Sequence, residues 1–425
     1  MKNYFELAPI FTDNLVFQIG KPIRIFGKCI KNSDIKVTVL DQEIRFKSKT
    51  ERFLVEFKAI PLQDTAFSIT VTCKKQIQVL YNCVMGDVYL FMGGINASLQ
   101  LIESYHDEDF CDYNIRFYDS INGNNKWHVS GKTTIERISA LAYLFSKNIH
   151  LNIKSPIGII TLTHENARIF SWMSNSDINN HQEILTLTSK LSNDEKIPLY
   201  SKLKSDLLPY SLKAVIFYQG ENDYAYYSVY EDALKLIFKC LRLDFKDISL
   251  PFIIVQIAGY DHPEADDFSL SMIRIAQANV MDERNQIYLV SAIDFGNKSE
   301  VAVKDKQLLA NRLANCVLDK LFKIGKNTNS PTFYSYQRNE KYIYIYTQSN
   351  YLNLVSKSNK NLGFYYTVNG TDFLVINDVS LRNNQIIISN KLDIKEIRYA
   401  MKKYPVCDIY TSNNLPLLPF RIKFY

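Results

Sequence analysis

A chain of 425 residues, 47% of them hydrophobic, has enough apolar side chain to bury a large core, and at that length two or three domains are expected. Its net charge of +6 comes from 50 Lys+Arg against 44 Asp+Glu with no basic block or stripe, which argues against nucleic-acid binding. No run of about 18 apolar residues is present for a membrane span. The opening MKNYFELAPIF, broken by Glu6 and Pro9, does not read as a secretory leader, so the expected location is cytoplasmic.

From Ile23 to about Tyr81 short alternating runs recur: IRIFG, IKVTVLD, EIRFKS, FLVEFKAI, FSITVTC and QIQVLY. Turn-forming residues separate them, which is the pattern of an all-β module, and a β-sandwich-like domain over residues 1–82 is predicted. The pattern then changes. Helical stretches at Ile135–His150 and Val229–Leu243 alternate with continuous apolar strands at Ile157–Leu162, Ala214–Tyr218, Phe252–Ile257 and Ile287–Ile293. Such alternation implies an α/β domain, here residues 83–325, with a parallel sheet flanked by helices and loops at the strand carboxyl ends where a site should lie. Residues 326–425 are all-β again, with YIYIYT, FLVIND and QIIIS between Asn-rich turns and a loop at Ser356–Asn361.

The seven cysteines (Cys29, Cys73, Cys83, Cys111, Cys240, Cys316 and Cys407) are scattered, odd in number and free of C-x-x-C spacing. Reduced thiols are expected rather than a disulfide framework or a zinc site, and no cofactor is called for. The acidic loop Asp261-His262-Pro263-Glu264-Ala265-Asp266-Asp267 lacks metal-ligand spacing and reads as a solvated loop near the pocket.

The chemistry concentrates in Gly86-Asp87-Val88-Tyr89-Leu90-Phe91-Met92-Gly93-Gly94-Ile95-Asn96-Ala97-Ser98, which reads as strand, sharp turn and helix start. A serine at such a turn would sit beside backbone N–H donors for an oxyanion. Here the turn offers Ile95.

Further motifs run along nearly the whole chain. Near the start are Leu7-Ala8-Pro9-Ile10-Phe11-Thr12-Asp13-Asn14-Leu15-Val16-Phe17-Gln18 and Pro22-Ile23-Arg24-Ile25-Phe26-Gly27. Between these and the close lie Pro156-Ile157-Gly158, Tyr218-Gln219-Gly220-Glu221, Leu250-Pro251-Phe252 and Lys306 with Arg312-Leu313-Ala314. The close itself carries Ile397-Arg398-Tyr399-Ala400 and Pro419-Phe420-Arg421. In their order and number these motifs resemble the sialate O-acetylesterase family of the SGNH-hydrolase superfamily.

The resemblance implies an SGNH-hydrolase-like domain flanked by β domains, and a hydrolase, a carbohydrate esterase that removes acetyl groups from sialic acid or another sugar. It also places the missing chemistry. The family's nucleophilic serine falls on Ile95, and isoleucine has no proton to give and no lone pair to attack with. The family's histidine base falls on Ala302 in Asp294-Phe295-Gly296-Asn297-Lys298-Ser299-Glu300-Val301-Ala302-Val303, with Glu300 as an acidic remnant.

The family's glycine pair has become Glu165-Asn166 beside His164, residues that would narrow the pocket and set a carboxylate near a developing oxyanion. Tyr218-Gln219-Gly220-Glu221-Asn222-Asp223 is retained, with Gln219 in the place of an amide oxyanion donor and Glu221 as a buttress.

Loss of a nucleophile or base costs a serine hydrolase on the order of a millionfold in turnover. The expectation is therefore a pseudoenzyme whose pocket, lined by Gly94, Asn96, His164, Gln219, Glu221 and Glu300, binds a carbohydrate such as a sialic-acid-like sugar, or a protein partner. The alternative is an active esterase with a displaced nucleophile such as Ser98, paired with His164, which of the six histidines (His106, His128, His150, His164, His181 and His262) stands in the loop expected to border the site.

Overall fold

A computed structural model describes residues 4–105, 110–120, 125–192, 196–349, 352–358, 362–390 and 393–424. His106, residues 1–3 and the last three residues of the Ser356–Asn361 stretch lie outside the described residues. The chain forms two compact units. The first contains Met1–Phe217, Leu236–Phe252 and Lys304–Ala310, the second Tyr218–Lys235, Ile253–Val303 and Asn311–Tyr425.

In the first unit the period-2 alternation becomes antiparallel sheet. Asp34–Val39 pairs with Gln42–Lys47 and Phe67–Cys73, so that Val37 faces both Ile44 and Val71. Ile23–Cys29 pairs with Arg52–Phe57. Inward residues such as Ile25, Val37, Ile69 and Val71 are fully buried, each stabilising by roughly 1.5–3 kcal/mol relative to exposure.

QIQVLY and the strand of the Gly86–Ser98 stretch are one element, Gln76–Gly93. Its first half pairs antiparallel with Phe67–Cys73, its second half parallel with Ile157–Thr163. It therefore runs without a break through residues 82 and 83. The sheet is mixed rather than purely parallel: Ile115–Asp119 is parallel to Ile157–Thr163, while Trp127–Val129 is antiparallel to Ile115–Asp119. Ala214–Tyr218 flanks the long strand on its other side.

The base of the long strand is fastened at Asp87. Its buried carboxylate receives Gln18 Nε2 at 3.2 Å and Ser155 Oγ at 3.3 Å, and lies 3.4 Å from Lys213 Nζ.

The expected helix Ile135–His150 is two elements, Lys132–Ile135 and Ala140–Ile153. Ser139 separates them because its hydroxyl caps the second helix, accepting from Ala142 N at 3.3 Å. Lys154, at φ +58°, ends it.

The second unit carries the neighbouring strands Phe252–Gln256 and Ile287–Ser291 and the helix Asp267–Asn279, capped by Asp266 Oδ1 accepting from Ser269 N at 2.6 Å. Its C-terminal part is antiparallel. Tyr342–Gln348 pairs with Thr332–Arg338 and Gln385–Ser389, and Glu396–Tyr399 with Phe364–Thr367 and Phe420–Lys423. Ile343, Ile345, Ile386, Ile388 and Phe364 fill the core between these strands.

Among the described residues no helix is long and apolar enough to cross a membrane.

Candidate active site

The long strand ends at Gly93, and Gly94 is the N-cap of a one-turn helix, Ile95–Ser98. Ala97 N and Ser98 N both donate to Gly94 O, at 3.1 and 3.0 Å. The strand–turn–helix read from the sequence is thus present, with Ile95 half-buried as the first helical residue. Ser98 Oγ donates back to Ile95 O at 3.1 Å. That bond commits the hydroxyl proton to the helix backbone.

Asn96 is buried, and its Oδ1 accepts from Lys306 Nζ at 2.6 Å. Lys306 is itself fully buried. An ammonium taken out of water is costly unless its donors are satisfied, so this bond ties the turn to a segment 210 residues away. From the sequence Lys306 was visible only as a motif residue.

The neighbouring loop leaves the adjacent parallel strand in register. Thr163 is opposite Gly93, and His164 N donates to Gly93 O at 3.0 Å. His164 and the turn are therefore brought together. The imidazole is half-buried, and its Nδ1 accepts from Asn166 N at 3.3 Å. In the neutral ring that leaves the proton on Nε2, so no lone pair is free to draw a proton from a serine. Glu165 and Asn166 are exposed, where the sequence reading has them narrowing a pocket.

In the second unit the Tyr218–Asp223 loop is buried and internally bonded. The Gln219 side-chain amide donates to the Asp223 carboxylate, and Gln219 Oε1 lies 3.0 Å from Tyr230 Oη, which donates to it or to Gln219 O at 2.9 Å. Gln277 Nε2 donates to Gln219 O at 2.8 Å, while Gln277 Oε1 accepts from Ile257 N at 3.0 Å.

Gly220 makes this closeness possible. At φ +136°, a Cβ there would stand 2.9 Å from Ile273 Cγ2 and 3.0 Å from Tyr230 Oη. Burial, and after it the charge of Asp223, pushes the Tyr230 hydroxyl well above its usual range, and burial followed by Glu221 does the same for Tyr218 and Tyr260. These phenols stay neutral. An oxyanion donor needs its N–H directed at a reacting oxygen, and one N–H of the Gln219 amide is given to a carboxylate four residues on.

The Asp294–Val303 segment has a structural organisation. Asp294 forms a two-pronged ion pair with Arg312, at 2.9 and 3.1 Å. Gly296 lies so close to Gly259 that a Cβ would stand 1.7 Å from Gly259 O. Glu300 is exposed, and Ala302 is half-buried with no group that can carry a proton.

The acidic loop reads from the sequence as solvated, yet His262 in it is half-buried against two aromatic rings. Its centroid is 4.5 Å from that of Tyr224 and 5.3 Å from that of Tyr260. The interleaving of Tyr224, Tyr226, Tyr227 and Tyr260 was the available signal. Among the described residues no group of three or more His, Cys, Asp or Glu is placed to hold a metal ion.

Residues 123–319 match the family model described as carbohydrate esterase, sialic acid-specific acetylesterase. No curated protein is similar in sequence to the chain. Among solved structures, a carbohydrate acetylesterase from Xanthomonas citri is similar over 99% of this chain and 100% of its own, with a TM-score of 0.88 at 18% identity. That likeness is one of fold.

A protein from Arabidopsis thaliana is 17% identical over 55% of this chain and 98% of its own, with a TM-score of 0.40. A family two carbohydrate esterase from Clostridium thermocellum is 12% identical over 71% of this chain and 90% of its own, with a TM-score of 0.33. Scores that low carry no argument about this chain.

Proposed function

We propose that this chain is a catalytically degenerate carbohydrate acetylesterase-like protein, which has kept the esterase fold and binds a carbohydrate without cleaving an ester. What supports the reading is Ile95, the first helical residue after Gly94, onto which the family resemblance puts the nucleophile. Acyl transfer needs a heteroatom there and a base to take its proton, and the same resemblance puts the base at Ala302. Both are hydrocarbon.

The displaced-serine route is disfavoured by two local hydrogen bonds. Ser98 Oγ gives its proton to Ile95 O, and the acceptor nitrogen of His164 is taken by the Asn166 amide. The match of residues 123–319 to a carbohydrate esterase model supports a carbohydrate as the ligand.

The test is an esterase assay of the purified protein with 4-nitrophenyl acetate and an O-acetylated sialic acid. No turnover above the uncatalysed rate is expected from the natural chain or from Ser98→Ala. The double change Ile95→Ser/Ala302→His is expected to gain activity. Turnover by the natural chain that Ser98→Ala abolishes would overturn the proposal.

A further inference from the structure

The loop after Phe252–Gln256 is held unusually firmly for a surface segment. Arg274 is fully buried and donates to the carbonyls of Ile257, Ala258, Lys402 and Lys403, at 3.2, 2.9, 2.9 and 2.9 Å. Tyr260 N donates to Lys403 O at 3.1 Å, and Lys403 Nζ donates to His262 O at 2.8 Å while pairing with Asp261 at the same distance. Tyr260 Oη reaches Glu221 O at 3.4 Å, which joins this loop to the one carrying Gln219. A loop fixed at so many points presents its side chains in a defined arrangement.

The orientation of His262 is also determined. Its Nδ1 accepts from two backbone amides, Glu264 N at 3.0 Å and Ala265 N at 3.1 Å. With that nitrogen an acceptor, the proton of the neutral ring resides on Nε2, which makes no hydrogen bond among the described residues. Burial, helped by Lys403 and opposed by Glu264, lowers the pKa of the ring from 6.5. The group is thus a fixed, neutral donor. Beside it, Glu264 Oε2 accepts from Tyr224 Oη at 2.5 Å, and the exposed carboxylate has its second oxygen available as an acceptor.

An aromatic wall flanked by one donor and one acceptor suits a particular kind of ligand. A pyranose has an apolar face of C–H groups that packs on a ring, and vicinal hydroxyls that each donate and accept. We propose that Tyr224, His262 and Glu264 form a sugar-binding subsite, in which a pyranose packs against the Tyr224 and His262 rings. One hydroxyl accepts from His262 Nε2 and its neighbour donates to Glu264. This inference rests on the carbohydrate-binding reading above and gives it a location.

The test is saturation-transfer NMR and calorimetric titration of the full chain with the methyl glycoside of N-acetylneuraminic acid and with methyl β-glucoside. Four variants are compared. His262→Asn keeps an acceptor for the loop amides but removes the Nε2 donor, whereas His262→Gln places an amide N–H near the Nε2 position. Tyr224→Phe keeps the ring, and Tyr224→Ala removes it.

Affinity for whichever glycoside binds is expected to fall about tenfold or more in His262→Asn and Tyr224→Ala, and to hold within about threefold in His262→Gln and Tyr224→Phe. A glycoside bound equally by all four variants would overturn the subsite and leave the carbohydrate-binding reading standing. Absence of binding of both glycosides to the natural chain would overturn the two together.

Discussion

The hydroxyl of Tyr230 is the part of the Gln219 cluster that can be removed most cleanly. It is fully buried, stands 2.9 Å from Gln219 O and 3.0 Å from Gln219 Oε1, and accepts weakly from Gln277 Nε2 at 3.4 Å. Tyr230→Phe deletes that oxygen and leaves the ring packing in place. Gln219 O keeps the Gln277 amide as a donor, so the loss falls on the hydrogen bond of this hydroxyl.

A net buried hydrogen bond is worth about 1 kcal/mol, and hydrogen bonds in a buried polar network can be worth more than the pairwise value. We expect about 1.5 kcal/mol, about a tenfold rise in local opening. Amide hydrogen exchange read by mass spectrometry suits this size of effect, because it reports on the amides of the cluster itself.

Exchange at Asp223 and Ile257, whose amides are bonded to Gly220 O and Gln277 Oε1, should quicken about tenfold, while amides of Asp34–Val39 keep their rates. Unchanged protection at Asp223 and Ile257 in a folded Tyr230→Phe protein would refute the assignment of this hydroxyl to the cluster.

Other expectations follow from single contacts. Gly296→Ala would force a Cβ to within 1.7 Å of Gly259 O, so a loss of about 3 kcal/mol or outright misfolding is expected in thermal unfolding, whereas Gly131→Ala, whose nearest neighbour is 3.6 Å away, should change little. Lys306→Met takes the donor from Asn96 Oδ1 and should loosen the turn by about 1–3 kcal/mol, read as faster exchange at Ala97 and Ser98. His262, followed by its ring-proton shift, should titrate below the usual 6.5 because burial disfavours its charged form. A lowered folded value means that its contribution to stability is complete above pH 6.5 and lost as pH falls through the folded pKa. Titration above 6.5 would remove the argument for a fixed neutral donor.

Much of the local structure was legible in the chain itself. Ala214–Tyr218 is a strand with the very bounds read from its apolar run, because five consecutive buried β-prone residues between turn signals admit few other conformations. The Gly93-Gly94 break before a helix start was legible for the same reason. Less was visible where one local signal overrode another: the hydrophobic pattern runs on through Ile135–His150, but the hydroxyl of Ser139 caps a new helix within it. The change of pattern beyond about Tyr81 sets the predicted boundary at 82/83, and Gln76–Gly93 is one strand across it, with partner strands along both of its halves.

At the candidate site the division has a chemical basis. That Ile95 and Ala302 carry no nucleophile and no base is a property of covalent structure, and no fold could alter it. Which way the surviving polar groups point is set by partners remote in sequence: Lys306 on Asn96, Gln277 on Gln219, and the Arg274 scaffold behind the His262 loop. Hydrogen bonds between residues tens to hundreds of positions apart leave no periodicity or local spacing in the chain. The sequence by itself therefore determined that Ile95 brings no heteroatom to this turn, and only the tertiary structure decided that Lys306 reaches Asn96 and that Gln277 holds the Gln219 carbonyl.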